Sequence, residues 1–373
     1  MAKAFPVVVV QQSQSLLRSW GRKPTLESRM SGTLSDGECI EYRPIHYPER
    51  LPFVGGLFKA RGTHRFKSEL DGLLAPAPSG HRIVCYDSPG QYSLVGKLKE
   101  SLSVYLAIDD RTVTVTGESI PGELEGERKL LERVDRVVCV SDVLANTLRL
   151  RAGERTDLRI DVLTNGYDER LFNTHRVWNE PDALRKTPRP RILISGHVSE
   201  RIDWEGIKAA AAIRPLWSWV FMGPADEGMA ERVASISADS GAVAVLLPPD
   251  SYENVPAWIA HCDVCAVPYR LNNFTLASSP LKAIEYLAAG APVLSTRIPS
   301  IAQFGEVIEW VAETDGSSYA TALDELAKQE RYGTTADLRS TVVHNENWGK
   351  KVERFCSILG VKYPQGRQTE ATG

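Results

Sequence analysis

Short, continuously apolar runs rich in Val and Ile recur along this chain, with stretches of helical spacing between them. In the first half they fall at Val7–Val10, His81–Tyr86, Ser103–Ile108, Arg136–Val140 and Arg159–Leu163. A second series falls at Arg191–Ser195, Trp219–Gly223, Val243–Leu247, Val264–Pro268 and Pro292–Ser295. A strand that is apolar on both faces has to be covered on both faces, which is the situation of a parallel sheet between helical layers. Helical patterns, clearest over Glu123–Arg133 and Leu281–Ala289, supply that cover. The alternation therefore predicts an α/β fold with parallel sheets.

The two series are separated by Asn-Glu-Pro-Asp-Ala-Leu-Arg-Lys-Thr-Pro-Arg-Pro-Arg over 179–191, a charged stretch with three prolines at the middle of the chain. At 373 residues the chain also exceeds what a single core holds, about 250–300 residues. The expectation is two Rossmann-like domains with a cleft between them: 1–178, a linker over 179–190, and 191–363 ending in a terminal helix from Asn345 to Leu359. Residues 364–373 are expected to form a disordered tail. In doubly wound sheets ligands bind beyond the carboxyl ends of the strands, so chemistry is sought just after each strand.

The six cysteines are too few for a disulfide framework in a chain of this length. Cys262-x-x-Cys265 has no second pair to complete a zinc site, and both are read as small buried hydrophobes. No metal ligand set is expected. The net charge of −3 is uneven: residues 1–67 hold eleven Lys and Arg against five Asp and Glu, a net of +6, so the remainder carries −9. In that basic part Phe53, Leu57, Phe58 and Phe66 interleave with Lys59, Arg61, Arg65 and Lys67, and Leu17, Arg18, Trp20, Arg22 and Lys23 form a similar cluster. Basic and aromatic residues on one surface are how a monotopic protein lies on anionic lipid; a helix with a solvated basic face is the alternative. With a pI near 6.2 and no nucleic-acid motif, a nucleic-acid partner is not expected. The first apolar run, Ala4–Val10, is too short to span a bilayer. The expected location is cytoplasmic, peripheral at the inner face of the plasma membrane.

The strongest constellation follows the fourth strand of the second series: Thr275-Leu-Ala-Ser-Ser-Pro-Leu-Lys-Ala-Ile-Glu-Tyr-Leu-Ala-Ala-Gly-Ala-Pro-Val293. Ser279-Pro280 reads as a helix start, with Ser at the cap and Pro at the first position. Lys282 then falls in the first turn, beside free N–H groups where a diphosphate would sit. Glu285, three residues on, shares its face and can accept hydrogen bonds from both hydroxyls of a ribose. An ordinary ion pair is the alternative reading of these two. Ser278 and Ser279 join them as donor-site candidates. After Arg191–Ser195 comes Gly196-His-Val-Ser-Glu-Arg-Ile-Asp203, in which Gly196 permits close backbone approach and Arg201 adds a planar cation. Pairing of Arg201 with Asp203 or Glu205 is its alternative. In the first half, Ser103–Ile108 runs into Asp109-Asp110, a carboxylate pair suited to removing a proton from an attacking hydroxyl. Adjacent like charges would raise one of the two pKa values; a turn cap is the alternative role. Asp87, after His81–Tyr86, is a further candidate base.

Together these stretches resemble GT-B glycosyltransferases of the family 4-like superfamily, nearest to bacterial exopolysaccharide and teichuronic-acid-type enzymes. The resemblance is carried by Glu127–Asp142, Val162–Asp168 with Phe172, Gly196–Asp203, Phe221–Pro224, Asp263–Tyr269 and Pro280–Val293, over roughly residues 100–310. It implies a glycosyltransferase that moves a sugar from a nucleotide-diphosphate sugar, UDP-linked, to a glycan or lipid-linked acceptor, with the donor as substrate and no cofactor. Lys282 and Arg201 would hold the diphosphate, Glu285 the ribose, and the backbone around Leu247–Tyr252 the base. The loop at Asn165-Gly166 would lie at the inter-domain wall. Ala277 stands where many retaining relatives carry a glutamate, and Val10 runs into Gln11-Gln-Ser-Gln-Ser15 with no glycine-rich loop. The absence of D-x-D argues against the metal-dependent class. A non-catalytic nucleotide- or glycan-binding module, and a nucleotide-sugar epimerase on the same fold, are the alternative functions.

Overall fold

A computed structural model describes residues 7–10, 14–15, 39–42, 45–46, 82–329 and 333–362. The basic–aromatic clusters at 17–23 and 51–67 and the tail at 364–373 lie outside the described residues. Strands β1 (Val7–Val10), β2 (Gln14–Ser15), β3 (Cys39–Tyr42) and β4 (Ile45–His46) form two parallel pairs, β1 with β3 and β2 with β4.

The first larger sheet is parallel, in the order β5 (Ile83–Tyr86), β6 (Leu102–Ala107), β7 (Arg136–Cys139), β8 (Arg159–Val162). Alternate residues of its strands feed two cores, as a period of two requires. Tyr105, Ala107, Val137 and Cys139 face helices α1 (Pro121–Leu131) and α2 (Asp142–Ala152), where they meet Leu130, Leu131, Leu144 and Leu148. Val104 and Val138 point the other way.

The second sheet has six parallel strands. Along the chain they are β9 (Arg191–Ser195), β10 (Ser218–Met222), β11 (Ala244–Leu247), β12 (Val264–Val267), β13 (Val293–Ser295) and β14 (Ile308–Trp310). In space they run β11-β10-β9-β12-β13-β14, so the order reverses between β9 and β12. That reversal opens a crevice at the carboxyl ends, the position where doubly wound sheets bind ligands. Helices α3 (Trp204–Ile213) and α4 (Met229–Ser240) cover one face. Helices α5 (Val255–Ala260), α6 (Asn273–Ala277) and α7 (Leu281–Ala288) follow, with α5 and α7 packed on the other face. Helix α8 (Gly316–Ala327) joins α3 and α4, and α9 (Thr334–Val342) docks on α7. β14 has three residues and no sequence run of its own, which is why the pattern shows five strands here and the fold six.

The terminal helix, α10 (Trp348–Leu359), returns to the first sheet: Phe355, Ile358 and Leu359 pack against Val104 and Val138 and close its second face. The chain thus crosses between the sheets twice, and the crossings are hydrogen-bonded side by side, Tyr167 N to Glu346 O at 3.2 Å and Trp348 N to Tyr167 O at 2.9 Å. Gly166 is required there, because a Cβ would lie 2.8 Å from both the Glu346 carbonyl oxygen and Lys351 Cγ. From Tyr167 onward the chain packs on the second sheet, with Tyr167, Phe172 and Leu184 in its core ahead of β9. Cys139, Cys262 and Cys265 are buried. Among the described residues no helix is long and apolar enough to cross a membrane.

Candidate functional site

The crevice after β9 and β12 collects four of the expected donor-site residues. β9 ends in Ser195, whose amide and hydroxyl both bond the buried Tyr286 hydroxyl at 2.9 Å, tying α7 to the strand end. Gly196 follows with φ +111°, a conformation open to glycine. A Cβ built on it would meet Lys282 Cε at 3.3 Å, so the lysine lies directly over the backbone of this turn. Lys282 Nζ donates to Glu285 Oε2 at 3.0 Å, and Tyr252, in the loop after β11, donates its hydroxyl to Glu285 Oε1 at 2.7 Å. Glu285 is fully buried, with each oxygen engaged once and still able to accept further bonds. The ion-pair reading of Lys282 and Glu285 is correct as geometry, and it places the pair on the crevice wall.

Helix α7 starts one residue later than the sequence predicts. Pro280 occupies the cap position and no side chain caps the helix. Ser279 is engaged elsewhere: its hydroxyl accepts from Asn165 N at 3.3 Å and its carbonyl from Asn165 Nδ2 at 2.6 Å. Ser278 donates to Thr275 O at 2.7 Å. The Ser279 side chain therefore joins the two units, that of Ser278 closes a local turn, and neither caps α7. The same junction carries the bond from Ser141 Oγ, the cap of α2, to Ala277 O at 2.5 Å, and from Asn272 Nδ2 to Val115 O at 3.0 Å.

Arg201 pairs with neither Asp203 nor Glu205. Asp203 caps α3 through Gly206 N at 3.2 Å and accepts from Tyr319 at 3.1 Å. Arg201 instead donates to His197 O at 3.1 Å, lies 5.1 Å from the Tyr269 ring centre, and has a buried Nε with no partner. Beside it His197 Nε2 and Asp226 Oδ1 are 2.7 Å apart.

Across from Arg201 stands Asp109. Its carboxyl is raised above the usual range, chiefly because the surrounding protein strips its water, although the residue keeps an open surface. Arg201 and Arg111 pull it back, and Asp110 adds only the last contribution upward. The expectation that the neighbouring charge would do the raising is thus corrected: desolvation leads. Asp110 is buried and committed to Arg151, Oδ1–Nη1 3.0 Å and Oδ2–Nη2 2.8 Å, and to the Thr112 amide and hydroxyl at 3.1 and 2.6 Å. Burial alone would raise it, but bonds from Arg151 and Thr112 outweigh burial and hold it below the usual range. Arg151 also binds Glu127, whose other oxygen takes Tyr105 at 2.7 Å. Asp110 therefore anchors the turn that presents Asp109. Asp87 is exposed and pairs with Arg111 at 3.7 Å.

Two cavities lie elsewhere. One of about 560 Å³ opens at the amino ends of the second sheet around Pro190, Trp217 and Pro292. One of about 450 Å³ lies beside the chain crossing, lined by Thr164, Ser300 and Lys351.

The two parallel sheets and their helices form a GT-B-type fold, with a crevice at the carboxyl ends of the second sheet and Asp109 of the first unit beside Arg201. Residues 189–329 of the chain match the family described as Glycosyl transferases group 1. Among curated proteins it is 24% identical over 314 residues to "Putative teichuronic acid biosynthesis glycosyltransferase TuaH" of Bacillus subtilis (strain 168), covering 80% of this chain and 77% of that one. Among solved structures it matches sucrose-phosphate synthase from Thermosynechococcus elongatus at 17% identity and a TM-score of 0.65, covering 95% and 98% of the two chains. It also matches Anabaena HepE, solved with UDP and glucose, at 14% identity and a TM-score of 0.58, covering 87% and 85%.

Proposed function

We propose that this protein is a glycosyltransferase that takes its sugar from a UDP-sugar and delivers it to a glycan or lipid-linked acceptor in cell-surface polysaccharide synthesis. In this reading Glu285 accepts from the ribose hydroxyls, while Lys282, Arg201 and the amides at the start of α7 meet the diphosphate over Gly196. The departing diphosphate gains charge as the glycosidic bond breaks, and those fixed donors stabilise it without a metal. Asp109 removes the acceptor hydroxyl's proton as the oxygen attacks the anomeric carbon. The acceptor domain rests on an anionic membrane surface through the basic segment of residues 1–67, which places the protein peripherally at the cytoplasmic face.

One observation carries the reading: Arg201, with a buried unpartnered Nε, acts on the Asp109 carboxyl from the segment after β9, and Lys282 lies over Gly196 of that same segment. The name of the Bacillus relative supports the polysaccharide class, and the UDP in the HepE structure supports the nucleotide. Calorimetry of UDP with the wild-type chain, Lys282→Ala and Glu285→Ala tests the donor half. Each variant is expected to lose about tenfold or more in affinity, the scale of a lost hydrogen bond to a charged group. Unchanged affinity in both overturns the assignment.

A further inference from the structure

Lys282 belongs to the same helix as Glu285, so of the two groups that hold this carboxylate only Tyr252 ties it to another element. Tyr252 is itself held from behind and from the side. Its ring packs on Phe172 at 5.4 Å between centres and 56° between planes, and Phe172 is a buried residue of the segment just past the first chain crossing. Its loop is pinned by Asp250, which accepts from Asn254 Nδ2 at 2.9 Å, Trp258 Nε1 at 2.8 Å and Ser251 N at 2.7 Å. Burial and the adjacent Glu285 raise the Tyr252 hydroxyl far above its ordinary range, so it stays a donor at any working pH.

We propose that Tyr252 is a positioning residue that fixes the Glu285 carboxylate and thereby sets discrimination between ribonucleotide and deoxyribonucleotide donors. The inference rests on the reading that Glu285 meets the ribose hydroxyls. A buried acceptor held in one orientation penalises a ligand that lacks the matching hydroxyl, because the acceptor is then left without its bond. Released from Tyr252, the carboxylate can rotate about its own side chain and satisfy itself with Lys282 or water. The missing hydroxyl then costs less.

The test is calorimetry of the full chain with UDP and with 2′-deoxy-UDP, in wild type and Tyr252→Phe, which removes a single oxygen. Wild type is expected to prefer UDP by about tenfold or more, and Tyr252→Phe by about threefold or less. A Tyr252→Phe ratio equal to that of wild type overturns the proposal and reduces Tyr252 to loop packing. A wild-type protein that binds both nucleotides equally overturns the ribose reading of Glu285, and the proposal with it; the wild-type arm alone separates the two failures. Should Tyr252→Phe melt early, Phe172→Leu reads the same ratio by loosening the ring from behind. A fall in the ratio supports the proposal, and a wild-type ratio overturns it.

Discussion

Asp109 and Asp110 are adjacent in the chain and chemically separate in the fold. Asp110 is a buried strut between Arg151 and Thr112, while Asp109 keeps a carboxyl raised by desolvation at the mouth of the crevice. A base works only when deprotonated, so a raised pKa delays its competence on the pH scale. Turnover is expected to fall on acidification through a value above that of an ordinary aspartate, near 3.9. A kcat/KM profile against pH should show this acid limb in wild type and lose it in Asp109→Asn; a limb at or below the ordinary value contradicts the assignment. The sequence displays the pair but not the division of labour, because Arg151 lies forty-one residues away and reaches Asp110 only through the packing of α2. Lys282 and Glu285 were legible for the opposite reason. Three residues apart on one helix, they meet whatever the rest of the chain does. Tyr252 leaves no such signal, since its contact with Glu285 spans thirty-three residues and depends on how the loop after β11 folds.

Among the elements, α7 and α10 do the most to place the site. α7 is readable from end to end except at its cap, where Ser279 turns to Asn165 instead of its own helix. The recruitment of a cap residue by another unit is a tertiary event that local spacing does not report. α10 is readable as a helix, but its destination is not: an apolar stripe says that something covers it, and the partner here is the first sheet at the far end of the chain. Phe355 is the largest side chain of that contact and is 8% exposed. Phe355→Ala is expected to cost about 3–5 kcal/mol, the range for removing a buried aromatic ring. Thermal or urea unfolding measures this loss, and a wild-type midpoint would mean that α10 does not hold the first sheet.

At the scale of the whole molecule, the α/β class and the parallel sheets followed from the spacing of apolar runs alone, because burial on both faces has few solutions. The strand order of the second sheet did not, yet it decides where the crevice opens. Across that crevice the two units are joined by polar bonds from Ser141, Asn165 and Asn272, so the carboxyl of one and the cations of the other are held in register. In the proposed function the roles divide, with donor binding on the second unit and proton removal on the first. Steady-state turnover of a UDP-sugar by wild type and Asp109→Asn, with transfer to water counted where no acceptor is supplied, tests it most directly. Wild type is expected to turn over measurably, with kcat falling about a hundredfold or more in Asp109→Asn at an unchanged donor KM. Wild-type rates in Asp109→Asn, or a loss confined to donor KM, would contradict it.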